Sequence, residues 1–221
     1  AVSEYIANRP IEGDRVGYLA TISAPGGGKT HLTDEVARLV SSLPNTVALV
    51  APFNSGRGPK KHLDSGEFSL VARFAFSYFV LDPFANENSD AFFTFVQDLH
   101  TAAGTTISIE LLLKTVVLDR NLSGNAKPAP FVMMLVDEIS KANLPTEIYK
   151  SMTSVLTTKC AVKVGALFTT LDLATLDCPQ PDPRKDITVS DRPVRWLLLS
   201  PFQFEAFSHN LTVNLPEGWF H

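Results

Sequence analysis

The chain has 221 residues, 45% of them apolar and 19% charged, the profile of a globular fold that buries a core without disulfides or a structural metal. Its net charge of −4 excludes a global electrostatic attraction to nucleic acid and leaves that role to a local basic patch. Cys160 and Cys178 form neither a disulfide framework nor a zinc pattern, and no apolar run approaches membrane-spanning length.

The N-terminal AVSEYIANRP lacks the pattern of a signal peptide. The expectation is a soluble, intracellular protein, cytoplasmic or nuclear, with no membrane partner. The sequons at Asn121 and Asn210 matter only in a secretory compartment, to which the cysteine usage does not point.

The first apolar run is VGYLATISA (16–24). It is continuously apolar rather than alternating, as strands buried on both faces of a parallel sheet are. Pro25-Gly26-Gly27-Gly28 then leads into Lys29-Thr30, and Leu32, Val36, Leu39, Val40 and Leu43 follow at helical spacing until Pro44. Strand, glycine loop, Lys-Thr and helix form the arrangement of a phosphate-binding loop. Glycines let the main chain bend around an anion and turn N–H groups inward, and the helix start adds its positive end. Lys29 is positioned for β- and γ-phosphates and the Thr30 hydroxyl for Mg²⁺. Residues 23–30 read Ser-Ala-Pro-Gly-Gly-Gly-Lys-Thr, so Ser23 stands where the eight-residue motif usually begins with glycine. Pro25, Gly26, Gly27, Gly28, Lys29, Thr30 and His31 are the cofactor-binding candidates here, His31 also reading as a plain polar helix position.

The second run, TVALVAPF (46–53), precedes NSGRGPKKHLDSGE (54–67), where glycines accompany Arg57, Lys60 and Lys61. That loop reads either as a solvated surface segment or as a contact for a polyanion. Between 54 and 130, FSLVARFAFSYFVL, DAFFTFVQDLHTA and ISIELLLKTVVLD suggest two or three helices, inserted between the second and third strands; the first could be strand in part. The phenylalanines at 68, 74, 76, 79, 84, 92, 93 and 95 suit a packed core better than a base-stacking surface.

The third run, FVMMLVDEI (131–139), ends in Asp137-Glu138. The carboxyl end of a buried parallel strand is where such sheets bind ligands. Asp137 is expected as the metal partner for Thr30 and Glu138 as the base that activates water; the other reading is that the pair caps the following turn and faces solvent. A helix over LPTEIYKSMTSVLTTK carries Ile148, Met152, Val155 and Leu156 on one stripe. The fourth run, VKVGALFTT (162–170), and the fifth, VRWLLLSPF (194–202), flank a proline-rich polar segment, DCPQPDPRKD (177–186), expected as an exposed loop. Strands alternating with helices predict an α/β fold: a five-stranded parallel sheet with helices on both faces and a helical insertion over 54–130, in one domain over 1–221.

SAPGGGKT, MMLVDEI, GALFTT and RPVRWLLLSPF, in this order, resemble a P-loop NTPase of the additional-strand (AAA/STAND-like) class, Asp137-Glu138 being similar to the Walker B motif. The resemblance implies a magnesium-dependent nucleoside triphosphatase, with ATP and Mg²⁺ bound and hydrolysis driving a conformational or assembly change. It also implies that a polar residue at the end of the fourth run, Thr169 or Thr170, senses the γ-phosphate. Arg192 and Arg195 read as an arginine finger or as surface ion pairs. The last run is similar to the NTPase modules of Crinkler-type effectors and retrotransposon hot spot proteins, which implies a nucleic acid or nuclear partner. A homo-oligomer is a further implication. Two other functions fit the same motifs: a nucleotide-gated binding switch with little turnover, and a P-loop kinase.

Overall fold

The computed structural model describes residues 2–7, 17–23, 25–54, 66–80, 89–104, 106–122, 130–156, 162–171 and 194–197. A short helix α1 (Val2–Ala7) precedes β1 (Tyr18–Ile22), α2 (Lys29–Ser42) and β2 (Thr46–Pro52). Three helices follow, α3 (Gly66–Phe79), α4 (Ser89–Ala103) and α5 (Ile109–Asp119), then β3 (Phe131–Asp137), a 3₁₀ turn (Ile139–Lys141), α6 (Pro145–Val155) and β4 (Lys163–Thr170).

β1 to β4 form an all-parallel sheet in the order β2-β3-β4-β1, and β5 (Val194–Trp196) pairs in parallel with β1 beyond it. The fold is therefore α/β. The inner strand β3 is buried at all seven positions. Each large apolar side chain so buried contributes about 2 kcal/mol, more than the ~1 kcal/mol span of strand propensity, so burial rather than intrinsic preference makes Met133, Met134 and Leu135 a strand.

Alternation divides the sheet's side chains between two cores. Tyr18, Ala20, Val132, Met134, Val136, Ala166 and Phe168 meet Leu70, Val71 and Phe74 of α3, Leu112 and Val116 of α5, and Ile148 and Met152 of α6. Leu19, Phe131, Met133, Leu135 and Leu167 meet Val36, Ala37 and Val40 of α2, with Val2, Tyr5 and Ile6 of α1 packed beside them. Helices thus cover both faces. Gly165 admits α1: a Cβ there would lie 2.6 Å from the Phe131 ring and 2.8 Å from the Tyr5 ring.

The segment at 68–81, ambiguous between helix and strand, is helical from Gly66 to Phe79. Phe68, Phe76 and Phe92 pack into a satellite core between α3 and α4, and Phe74 joins the main core. Phe79, by contrast, is 48% exposed at the end of α3. The third strand ends two residues earlier than its apolar run, because Glu138 takes a left-handed conformation (φ 54°, ψ 51°) and Ile139 opens the 3₁₀ turn. Cys160, Cys178, Asn210, Phe84, Arg57, Lys60, Lys61, Arg192 and the segment 177–186 lie outside the described residues. Among the described residues, no helix is long and apolar enough to cross a membrane.

Candidate functional site

The glycine loop joins the carboxyl end of β1 to the start of α2. Gly26 (φ 77°) and Gly28 (φ 81°) both occupy the left-handed region. A Cβ at Gly26 would meet nothing within 4 Å, so the requirement for glycine there is conformational rather than spatial. Gly28 then caps α2, its carbonyl accepting the first helical bond from the Leu32 N–H at 2.9 Å. Pro25, Gly26 and His31 are exposed, and Gly27 and Gly28 are partly so.

Lys29 is 3% exposed although it opens the helix. Its ammonium donates to the Ser23 carbonyl at 2.7 Å and stands 3.9 Å from Glu138 Oε1. Ser23, the residue in place of the motif's first glycine, thus contributes through its main chain, for which its side chain is no obstacle.

Sheet register brings the second group of residues to the loop. β4 separates β1 from β3, with Thr21 beside Thr169 and Val136 beside Phe168. Thr30 Oγ1 donates to Asp137 Oδ2 at 2.7 Å across 107 residues of sequence. Thr169 Oγ1 donates to the other oxygen, Asp137 Oδ1, also at 2.7 Å, and accepts from the Glu138 N–H at 2.8 Å. Asp137 is 1% exposed, so these donors replace the hydrogen bonds that burial takes from water. Thr170 falls on the opposite face with Phe168 by the strand's alternation, and its carbonyl accepts from the Ser23 N–H at 3.4 Å. Of the two threonines, Thr169 is the one that touches Asp137.

Asn54 was not legible as a site residue. It begins the segment after β2, and Pro52 lies in register with Asp137. Asn54 Nδ2 donates to Asp137 Oδ2 at 2.7 Å and to Thr30 Oγ1 at 2.9 Å. The ionised carboxylate only accepts, so the amide nitrogen faces it. Asp34, one turn beyond Thr30 on α2, has its carboxyl pushed above the ordinary value by burial first and by the charge of Asp137 second. Glu138 is 8% exposed, and its Oε2 forms an ion pair with Lys141, another residue the sequence did not mark. For Arg195 only the main chain is described, in register with Leu19.

Replacing Thr169 with valine keeps the shape and removes both hydrogen bonds. The buried Glu138 N–H and one Asp137 oxygen then lose a partner, which is expected to destabilise the fold by about 1–3 kcal/mol. A lowered midpoint in urea unfolding at unchanged m-value checks this.

Comparison with protein-family models gives no match, and comparison with curated proteins gives no relative.

Proposed function

We propose that the chain is a magnesium-dependent nucleoside triphosphatase that takes ATP, with residues 25–30 as its phosphate loop. The observation that carries this reading is the bond from Thr30 Oγ1 to Asp137 Oδ2, 2.7 Å long, at the foot of a loop that ends in a buried lysine. A hydroxyl and a carboxylate converge there as hard oxygen ligands, with the Asn54 amide hydrogen-bonded to both, a set that suits Mg²⁺. Among the described residues, no three His, Cys, Asp or Glu gather as a metal cluster. Mg²⁺ does not need one, because it takes one or two carboxylates and completes its shell with water and phosphate oxygens.

In this reading the sheet is the five-stranded P-loop sheet of the additional-strand class. β4 supplies the strand between the loop strand and the acidic strand, and the helices between 54 and 130 form an insertion. The N–H groups of Gly26, Gly27 and Gly28 and the start of α2 hold phosphate oxygens. Lys29 neutralises the β- and γ-phosphates, and Thr30 with Asp137 holds the metal, which supplies charge neutralisation on the phosphates when bound. Glu138 accepts the proton of a water whose oxygen bonds to the γ-phosphorus. The bond to the β–γ bridging oxygen breaks, and its electron pair leaves with the diphosphate. Thr169 fixes both Asp137 and the Glu138 main chain, a position from which it responds to the γ-phosphate. The resemblance is the sole support for a homo-oligomer and for a nucleic acid or nuclear partner.

One observation favours the second reading, a nucleotide-gated switch with little turnover: both oxygens of the Glu138 carboxylate face ammonium groups. Phosphate release from ATP and GTP, with Mg²⁺ and with EDTA, separates the possibilities. Metal-dependent release is the expected result. Binding without release favours the switch, and neither binding nor release contradicts both.

A further inference from the structure

The ion-pair partner of Glu138 Oε2 is Lys141, at the last position of the 3₁₀ turn. Three features hold this turn in place. The Lys141 N–H donates to the Glu138 carbonyl at 2.9 Å and closes it. Ile139 is wholly buried in the main core. The Leu171 N–H, just past the end of β4, donates to Ser140 Oγ at 3.3 Å. Glu138 itself is in the left-handed conformation, and its carboxylate faces Lys29 through one oxygen and Lys141 through the other.

Resting on the triphosphatase reading, we propose that Lys141 is a positioning residue that acts as a brake on Glu138. A carboxylate oxygen held at the turn by Lys141 is less able to swing to a water. The two lysines differ in what bound nucleotide does to them. Lys29 lies in the loop and is drawn to phosphate, which releases Glu138 Oε1. Lys141 lies outside the loop and is half exposed, so it keeps Oε2 through binding. Turnover is therefore set by a contact that the nucleotide does not touch. A purely structural ion pair at this position would affect the stability of the turn and leave kcat alone.

Steady-state hydrolysis of Mg-ATP by wild type, Lys141→Gln, Lys141→Arg, Glu138→Gln and the Lys141→Gln/Glu138→Gln double variant tests the brake, with nucleotide binding measured alongside. Lys141→Gln is expected to raise kcat roughly three- to tenfold at unchanged KM. Lys141→Arg, which keeps the charge, should stay at the wild-type rate. The double variant should fall to the Glu138→Gln rate, since the brake acts only through that carboxylate. A Lys141→Gln rate at or below wild type, a change confined to KM, or a gain that survives in the Glu138→Gln background overturns the proposal. If wild type binds Mg-ATP without turnover and Lys141→Gln gains none, the brake is refuted while the nucleotide site stands. A wild type that binds no nucleotide overturns the site itself.

Discussion

Lys29→Ala is expected to lower ATP turnover by about 10²–10³-fold and to weaken nucleotide binding, while the protein stays folded. The size follows from where the charge sits. The Lys29 ammonium lies in a buried position at the mouth of the glycine loop, bonded to the Ser23 carbonyl and facing Glu138. A cation shielded from water in this way is worth about 3–4 kcal/mol to the charge that develops on a transferring phosphoryl group. Alanine is a strong helix former, so α2 keeps its first turn. Phosphate-release kinetics and nucleotide titration check the outcome together; a variant that turns over at the wild-type rate would remove the phosphate role of the loop.

The second large effect concerns Glu138. Glutamine has the same shape and cannot accept a proton, so Glu138→Gln is expected to reduce kcat by about 10²–10⁴-fold with nucleotide affinity retained. The split between the two parameters is the informative part. Asp137, one residue earlier, accepts from Thr30, Thr169 and Asn54, the contacts on which the proposed metal role rests. Glu138 touches none of these three through its side-chain carboxylate in the described contacts, and faces Lys29 and Lys141 instead. Single-turnover kinetics on saturated enzyme measures the chemical step directly. Loss of affinity with an unchanged rate would assign Glu138 to binding and take away its role as base.

The α/β sheet and the placement of the glycine loop were legible in the amino-acid sequence, for identifiable reasons. β3 is buried on both faces and therefore writes an uninterrupted apolar run, FVMMLVD, that needs no knowledge of its neighbours. The glycine loop is local: Pro25 to Thr30 carry the bend, the cap and the cation within six residues. α3 was ambiguous because it is almost wholly buried, from Phe68 to Ser77, so the polar stripe that marks a surface helix is missing.

Asn54 illustrates the opposite case. Nothing in its local sequence separates it from other polar residues after a strand. It reaches Asp137, 83 residues away in sequence, because Pro52 is in register with that residue, and register depends on pairing between distant strands. The choice between Thr169 and Thr170 has the same origin. One residue's shift exchanges the faces of a strand, and only the pairing of β4 with β1 and β3 fixes which threonine meets the carboxylate. Lys141 is hidden by a different effect: the apolar run continues through Ile139, but the left-handed Glu138 ends the strand and starts the turn that brings Lys141 back.

Calorimetric titration of ATP into the wild-type chain and into Lys29→Ala, each with Mg²⁺ and then with EDTA, puts loop, lysine and metal to a single test. Saturable binding that weakens at least about tenfold when Mg²⁺ is removed, and again when Lys29 is lost, is the expected result. No binding of ATP or GTP to the wild-type chain, or binding indifferent to both the metal and Lys29, would contradict a triphosphate held between Thr30 and Asp137.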